Sequence, residues 1–237
     1  MDTIALLGET FAPLAGQHIL DIGCGGGDLA RALIARGARI TGVDPEEEAI
    51  AAARRVAPDA ALNVASAEAL PFPDDYFDGA VFLNSLHHVA PGVMGAALDE
   101  AVRVTRPGGL VVVIEPLATG SFFSALKLIE DETEVRRQAQ DALAAALARG
   151  PLQSLRSVIF TRSEAFLGFD AFVERATAAS PARRDTVARN GKAIEAAFRA
   201  HAERDADGRY RFDQPLKGEI LLRPAGATSA RRGVSRW

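Results

Sequence analysis

The sequence predicts an α/β fold with a mostly parallel sheet and helices on both faces. Three observations carry this expectation. Short apolar runs alternate with stretches of helical periodicity from Gln17 to Ile114, the order that right-handed βαβ crossovers produce. The first run, Gln17 to Ile22 (QHILDI), opens into Gly23-Cys24-Gly25-Gly26-Gly27, as a buried strand does when it ends in a tight loop. The fifth run, Leu110 to Ile114, is nearly all β-branched, as expected of a strand covered on both faces.

The elements follow in order. Asp28 to Arg36 has helical spacing, with Leu29, Leu33 and Ile34 on or near one face and Gly37 as its stop. Ala38 to Val43 is the second strand, ending at Asp44-Pro45. Glu46, Glu47 and Glu48 then occupy the first turn of a helix, where the macrodipole favours negative charge. Ala60 to Ala65 reads as the third strand. A Pro-rich turn, Leu70-Pro71-Phe72-Pro73, leads to the fourth strand, Asp78 to Asn84. Gly95 to Thr105 is helical and Arg106-Pro107-Gly108-Gly109 is a turn.

After Pro116 the character changes. Residues 119–204 are rich in Ala, Arg and Glu, with helix punctuation rather than strand signals. Gly150-Pro151 breaks one helical stretch, and Ser180-Pro181 reads as an N-cap followed by proline at the first helical position. Arg209 to Phe212 and Gly218 to Leu222 resemble two closing strands joined by Asp213-Gln214-Pro215. The expected organisation is one domain over 1–237. It has a core at about 15–118, closing strands at about 208–224 and a helical cap at about 119–207. The tail, 225–237, is small, polar and basic, and is expected to be disordered.

With 237 residues and 48% apolar content the chain can bury a full core. A net charge of −4 disfavours nucleic acid as a partner. The arginine pairs Arg183/Arg184 and Arg231/Arg232 read as a solvated helix face and a loose tail. A single cysteine, Cys24, excludes an internal disulfide framework and a thiolate metal cage, and points to a cytoplasmic protein. No basic start followed by an apolar run precedes the first strand, and no apolar stretch reaches the ~18 residues of a membrane span.

The glycine loop carries the first functional signal. Closely spaced glycines admit positive φ and let a ligand approach the backbone, and a following helix start points amides at it. A dinucleotide loop needs G-x-G-x-x-G. Counted from Gly23 the last position is Asp28, and counted from Gly25 it is Ala30, so neither frame fits. A carboxylate at that helix start also repels a pyrophosphate. No Gly-Lys-Ser/Thr follows, which excludes a P-loop. What remains is a loop suited to a nucleoside lacking phosphates, with a cationic centre and an amino-acid tail. Asp44, one βα unit later, is placed to accept from both ribose hydroxyls, although the same chemistry serves NAD.

Four segments in this order, LDIGCGGGDLA, ITGVD, SAEALPFPDDYFDGAVFLNSLHHV and RVTRPGGLVVVIEP, resemble the type 11 group of class I S-adenosylmethionine-dependent methyltransferases, which includes the ubiquinone/menaquinone C-methyltransferases. The resemblance covers residues 17–116. It implies a Rossmann-like, mostly parallel seven-stranded sheet, with the helical cap inserted before the closing strands. It also implies S-adenosyl-L-methionine as donor, S-adenosyl-L-homocysteine as product, and a small organic acceptor methylated at O, N or C. Asp21, Gly23, Cys24, Gly25 and Gly27 would surround the methionine moiety, and Asp44 with Pro45 the ribose. Ser66, Ala67 and Glu68 match the adenine-contacting segment. There the family usually has Asp-Ala, so Ser66 replaces a carboxylate that Glu68 would have to supply. Asn84 falls where a backbone carbonyl meets the methionine amine. Cys24 reads as a small filler between glycines.

His87-His88 is the most informative polar pair outside the loop. The resemblance turns the first of such a pair towards the cofactor and acceptor, so His87 is expected to line the pocket or to act as a base, and His88 to be structural. With only His18 and His201 besides, no metal site is expected. Glu115, at the end of strand five, reads as a substrate contact or a solvated strand end. Phe122, Phe123, Leu126, Phe160, Phe166, Phe169, Phe172 and Phe198 are expected mainly to pack the cap. Arg136, Arg137 and Arg162 are candidates for an acidic acceptor or for solvent. Only about 16 residues precede strand one, without Tyr or Trp, where many members carry an aromatic-containing covering helix; either the later helical insert supplies the lid or the second subunit of a homodimer does. A non-catalytic or non-methylating cofactor-binding protein is the alternative. An NAD-dependent oxidoreductase is disfavoured by the glycine spacing and by the lack of a Tyr-x-x-x-Lys pair.

Overall fold

The computed structural model describes residues 2–178 and 181–225. In chain order the elements are α1 (Thr3–Thr10), β1 (His18–Ile22), α2 (Asp28–Ile34), β2 (Arg39–Asp44), α3 (Glu47–Val56), β3 (Ala61–Val64), β4 (Phe77–Leu83), α4 (Met94–Val104), β5 (Thr105–Pro116), α5 (Ser121–Leu126), α6 (Thr133–Arg149), β6 (Gln153–Phe166), α7 (Phe169–Thr177), α8 (Pro181–His201), β7 (Glu203–Arg204) and β8 (Tyr210–Leu222). The sheet order is β3-β2-β1-β4-β5-β8-β6, with the two-residue β7 pairing β8 off that path. The β1–β2, β1–β4, β2–β3 and β4–β5 pairs are parallel. This is the expected Rossmann-like α/β architecture, with seven strands on the path.

The chain forms two compact units. The larger comprises Thr3–Glu115, Ala139–Val158 and the chain from Gly218. Its core is aliphatic: Leu20, Ile22, Val43, Val111 and Val113 of the strands bury against Leu98, Ala101 and Val104 of α4 and Leu143 of α6. Leu6, Leu7 and Phe11, in and just after α1, are buried as well. The Phe11 ring lies over Gly79 of β4 so closely that a Cβ there would sit 2.3 Å from it. The smaller unit comprises Pro116–Gln138 and Ile159–Lys217. Its core is aromatic, with Phe122, Phe166, Phe172, Phe198 and Phe212 buried together. Their ring centroids lie 5.1–6.4 Å apart in stacked, tilted and edge-on arrangements, geometries the ring quadrupole favours. Here Phe123 carries the Arg136 guanidinium 4.7 Å from its ring centre.

Three segments depart from the sequence expectation. Thr105 to Pro116 is one strand, but its pairing with β4 jumps from Phe77–Thr105 to Gly79–Leu110, so Arg106-Pro107-Gly108-Gly109 bulges out of the ladder. The stretch expected to be wholly helical contains β6, whose Ser157-Val158-Ile159-Phe160-Thr161 centre has strand propensity that the surrounding charges obscure. The two closing strands and their turn are a single 13-residue strand, β8, buried at alternate positions through Phe212, Gln214 and Leu216. Gln214 looks like a turn residue yet is only 1% exposed; its amide donates to the carbonyls of Leu117 (2.9 Å) and Pro215 (2.8 Å). Ser180 and the expected disordered tail, apart from Ala225, lie outside the described residues. Among the described residues, no helix is long and apolar enough to cross a membrane.

Candidate functional site

The site is built on the carboxyl edge of the larger unit's parallel strands. Register sets Ile22 against Val43 and Phe82, and Leu83 against Ile114, so the segments leaving β1, β2, β4 and β5 emerge side by side. Because β1 sits between β2 and β4, the chain crosses to opposite sides of it, the place where open α/β sheets leave a crevice.

Asp44 ties the first two segments together. One carboxylate oxygen accepts the Gly25 amide at 2.9 Å and the other accepts the Glu46 amide at 3.0 Å, coupling the glycine loop to the start of α3. A carboxylate offers about four lone-pair sites, so both oxygens keep capacity for further donors. The Gly23 and Cys24 amides donate to the Val43 carbonyl at 2.8 and 2.9 Å, which holds the loop against the end of β2. Gly23 has φ +74°, and a Cβ there would lie 2.5 Å from the Ser85 Cβ. Gly25 has φ +50° and faces open space, as does Gly26. Cys24 is buried, its sulfur against Gly42; burial foremost, then the Asp21 and Asp44 charges, pushes its thiol up to about 12. It is a packing residue rather than a nucleophile.

Two acceptor atoms on this edge are buried without a donor. Asp21 is 2% exposed and its Oδ2 receives no hydrogen bond from a protein group. Burial, reinforced by the Asp44 charge, pushes its carboxyl from 3.8 up to about 7. Asn84 follows β4 in the left-handed region at φ +52°. Its amide donates to the Ile114 carbonyl at 2.8 Å, while its side-chain Oδ1 is buried with no donor. Unsatisfied buried acceptors are uncommon, and each calls for a donor from a water or a ligand or stands as a cost to the fold.

Beyond Asn84 the chain turns inward. The Ser85 hydroxyl donates to the Ile22 carbonyl at 2.6 Å, fixing this segment against the glycine loop. Glu115, 1% exposed, accepts the Ser85 and Leu86 amides on Oε1 at 3.0 and 2.9 Å and the His87 amide on Oε2 at 3.4 Å. The same Oε2 meets the Nδ1 of His87. His87 is buried and His88 exposed, with their rings 4.1 Å apart. Leu86–His88 is a single 3-10 turn, which sends adjacent side chains in different directions.

Ser66, Ala67 and Glu68 lie in the loop after β3; Ala67 is buried and the other two half-buried. The Ala65 amide donates to the Asp44 carbonyl at 3.1 Å, bringing this loop beside Asp44 and Pro45. Further on, the Leu70 amide donates to Glu100 at 2.9 Å. Arg103 donates to the Leu70 and Phe72 carbonyls, at 3.0 and 2.7 Å, and to Glu100, bracing the loop's exit against α4. Its hydrogen bonds to Glu100 raise the arginine's affinity for its proton.

Residues 19–109 match the family model described as a methyltransferase domain. This segment, less than half of the chain, is similar to a methyltransferase domain. An uncharacterized methyltransferase of Mycobacterium leprae (strain Br4923) is 40% identical over 129 residues, covering 51% of this chain and 47% of that protein. A demethylmenaquinone methyltransferase of Clavibacter sepedonicus is 39% identical over 107 residues, covering 44% and 43%. The chain thus spans about half the length of the curated relatives it matches. A Bacillus halodurans C-125 protein assigned as a methyltransferase shares the fold, with TM-score 0.66, 16% identity, and coverage of 94% of this chain and 99% of that one.

Within the matched segment, the structure places Asp21 near the end of β1, Gly23, Cys24, Gly25 and Gly27 between β1 and α2, and Asp44, Pro45 and Asn84 on the same edge. Sequence reasoning missed Ser85. Its only signal was a small hydroxyl residue between two motif positions. Glu115 was read as a substrate contact or a solvated end; it is instead turned onto the backbone and ring of the His87 segment. Arg136, read as a candidate for an acidic acceptor or for solvent, is buried in the smaller unit. There it pairs with Glu132 at 2.6 Å and donates to the Leu117 carbonyl at 3.0 Å. Arg137 is exposed and pairs with Glu134.

Proposed function

We propose that the chain transfers the methyl group of S-adenosylmethionine to a small organic acceptor. The observation that carries this reading is the pair of donor-less buried acceptors, Asp21 Oδ2 and Asn84 Oδ1, on an edge whose glycine loop leaves open space at Gly25 and Gly26. An amino-acid ammonium supplies the hydrogens such atoms lack. Asp44 retains lone pairs for ribose hydroxyls, and the Ser66–Glu68 loop beside it offers backbone groups and the Glu68 carboxylate to an adenine. No cationic side chain stands in the glycine loop to receive a pyrophosphate, which favours this donor over a dinucleotide. When bound, the donor would supply a methyl carbon on a sulfonium, open to in-line attack by an acceptor lone pair with the thioether sulfur as leaving group. This chain's own contribution is to orient and to exclude water. Names of relatives such as demethylmenaquinone methyltransferase support the transfer reaction, and they belong to those proteins.

Thermal unfolding with ligands tests the reading. S-adenosylhomocysteine at 100 times its Kd should add about 2.7 kcal/mol and raise Tm, while NAD should leave Tm unchanged. Stabilisation by NAD alone would overturn the proposal. Asp44→Ala should abolish the shift while circular dichroism remains that of a folded chain, since the substitution removes two loop-holding acceptors and the ribose contact together.

A further inference from the structure

The His87–Glu115 pair has a chemistry that packing does not require. A carboxylate 1% exposed at the end of a parallel strand is costly unless every lone pair is used. Glu115 meets that condition with three backbone amides from Ser85, Leu86 and His87, plus the His87 ring. Amides only donate, so the carboxylate must accept from all three. Three amide donors favour the ionised carboxylate, which has no hydrogen to give, and against it the ring nitrogen facing Glu115 is the one bearing hydrogen. A neutral imidazole has one N–H and one lone pair, so protonation at Nδ1 leaves the lone pair on Nε2.

We infer that Glu115 holds His87 as its Nδ1–H tautomer, so that His87 Nε2 is the proton acceptor for the methyl acceptor and Glu115 is its positioning residue. The inference rests on the methyl-transfer reading and adds an acceptor class to it. His87 lies three residues beyond Asn84 and two beyond Ser85, whose hydroxyl is bonded to the glycine-loop strand, so the pair belongs to the same carboxyl edge as the loop. The proton balance is simple. As the acceptor atom forms its bond to the methyl carbon, the methyl–sulfur bond breaks and its electron pair stays on the departing thioether; the acceptor's hydrogen passes to Nε2, and the imidazolium charge is opposed by Glu115. Solvent then takes the proton. An acceptor that has no hydrogen to lose gains nothing from such a pair. The class it serves is therefore a hydroxyl, a phenol or an acidic C–H, rather than a tertiary amine or a thioether.

Long-range proton–nitrogen correlation spectra of the histidine-labelled chain at pH 8, with the His87 signals assigned by their loss in His87→Asn, read the tautomer without any acceptor. The expected result is a protonated Nδ1 and a bare Nε2. In Glu115→Gln the carboxamide oxygen takes the backbone amides and its NH2 turns to the ring, so the two nitrogens exchange signatures. A wild-type His87 protonated on Nε2, or a tautomer unmoved by Glu115→Gln, would overturn the inference. S-adenosylhomocysteine stabilisation should persist in both variants; its absence from the wild type would instead sink the methyl-transfer reading. Should Glu115→Gln not fold, His87→Asn carries the kinetic arm. Its carboxamide still donates to Glu115 but carries no basic nitrogen. With a panel of alcohol, phenol and enol-type probes beside a tertiary amine and a thioether, and a labelled methyl donor, either variant should lower kcat on the first three about 100-fold at unchanged KM. Equal kcat, transfer only to tertiary amines or thioethers, or no transfer to any of these probes would each overturn the assignment.

Discussion

The two units solve the problem of burying polar groups in opposite ways. In the smaller unit charges are paired where they are buried: Glu132 receives Arg136 and Arg183, and Gln214 spreads its amide over neighbouring carbonyls. Among its described residues, the buried side-chain atoms without partners, Gln138 Oε1 and Arg162 Nε, lie on a regular helix and strand. In the larger unit, donor-less acceptors at Asp21 and Asn84 coincide with left-handed backbone at Gly23, Gly25, Gly27 and Asn84. The coincidence of left-handed backbone with unsatisfied acceptors sets this edge apart from the smaller unit, and under the proposed function it is where the ligand would bind.

That contrast can be broken first in the aromatic core. Phe172→Ala removes a side chain with no exposure and should destabilise by about 3–5 kcal/mol. Hydrogen exchange should show the loss in α5, α7 and α8 while β1, β2 and β4 stay protected. Uniform loss across all of them would show one cooperative structure rather than two units. Next in size is the Asp21 carboxyl. Its folded value, about 7, stands above the unfolded 3.8. Folding therefore favours its protonated form, a contribution present below pH 4 and lost as pH rises through 7. Relative to Asp21→Asn, the wild type should lose up to about 4 kcal/mol between pH 4 and 8, at about 1.4 kcal/mol per pKa unit. Urea denaturation series measure this, and parallel profiles for the two proteins would refute it.

A pair of glycine substitutions separates architecture from binding. Gly23→Ala drives a methyl into Ser85 at positive φ and should cost about 3 kcal/mol. Gly25→Ala meets open space, so the fold should lose only about 1 kcal/mol while the S-adenosylhomocysteine shift disappears. A retained shift in Gly25→Ala would show that the ligand does not approach this backbone.

Legibility in the sequence follows the same division. The parallel half of the sheet was readable because each βα unit advertises itself: an apolar run, then punctuation at Gly23–Gly27, Asp44-Pro45 or Asn84. β6 and β8 were obscured because their alternation carries charged and amide residues. Gln214 is buried through long-range partners at Leu117 and Pro215, which no local window reveals. Glu115 was misread for the same reason. Its bonds run to residues 85–87, about 30 positions away in the chain.

The packing of Phe11 on Gly79 has a consequence for where this domain starts. The family match begins at residue 19, yet the ring that covers the middle of β4 comes from residue 11. A fragment cut at the family boundary would expose the bare backbone of a central strand and forfeit the burial of Leu6, Leu7 and Phe11. Inheritance and folding therefore draw different borders here, and Thr3 to His18, upstream of the shared motif, belong to the folding unit.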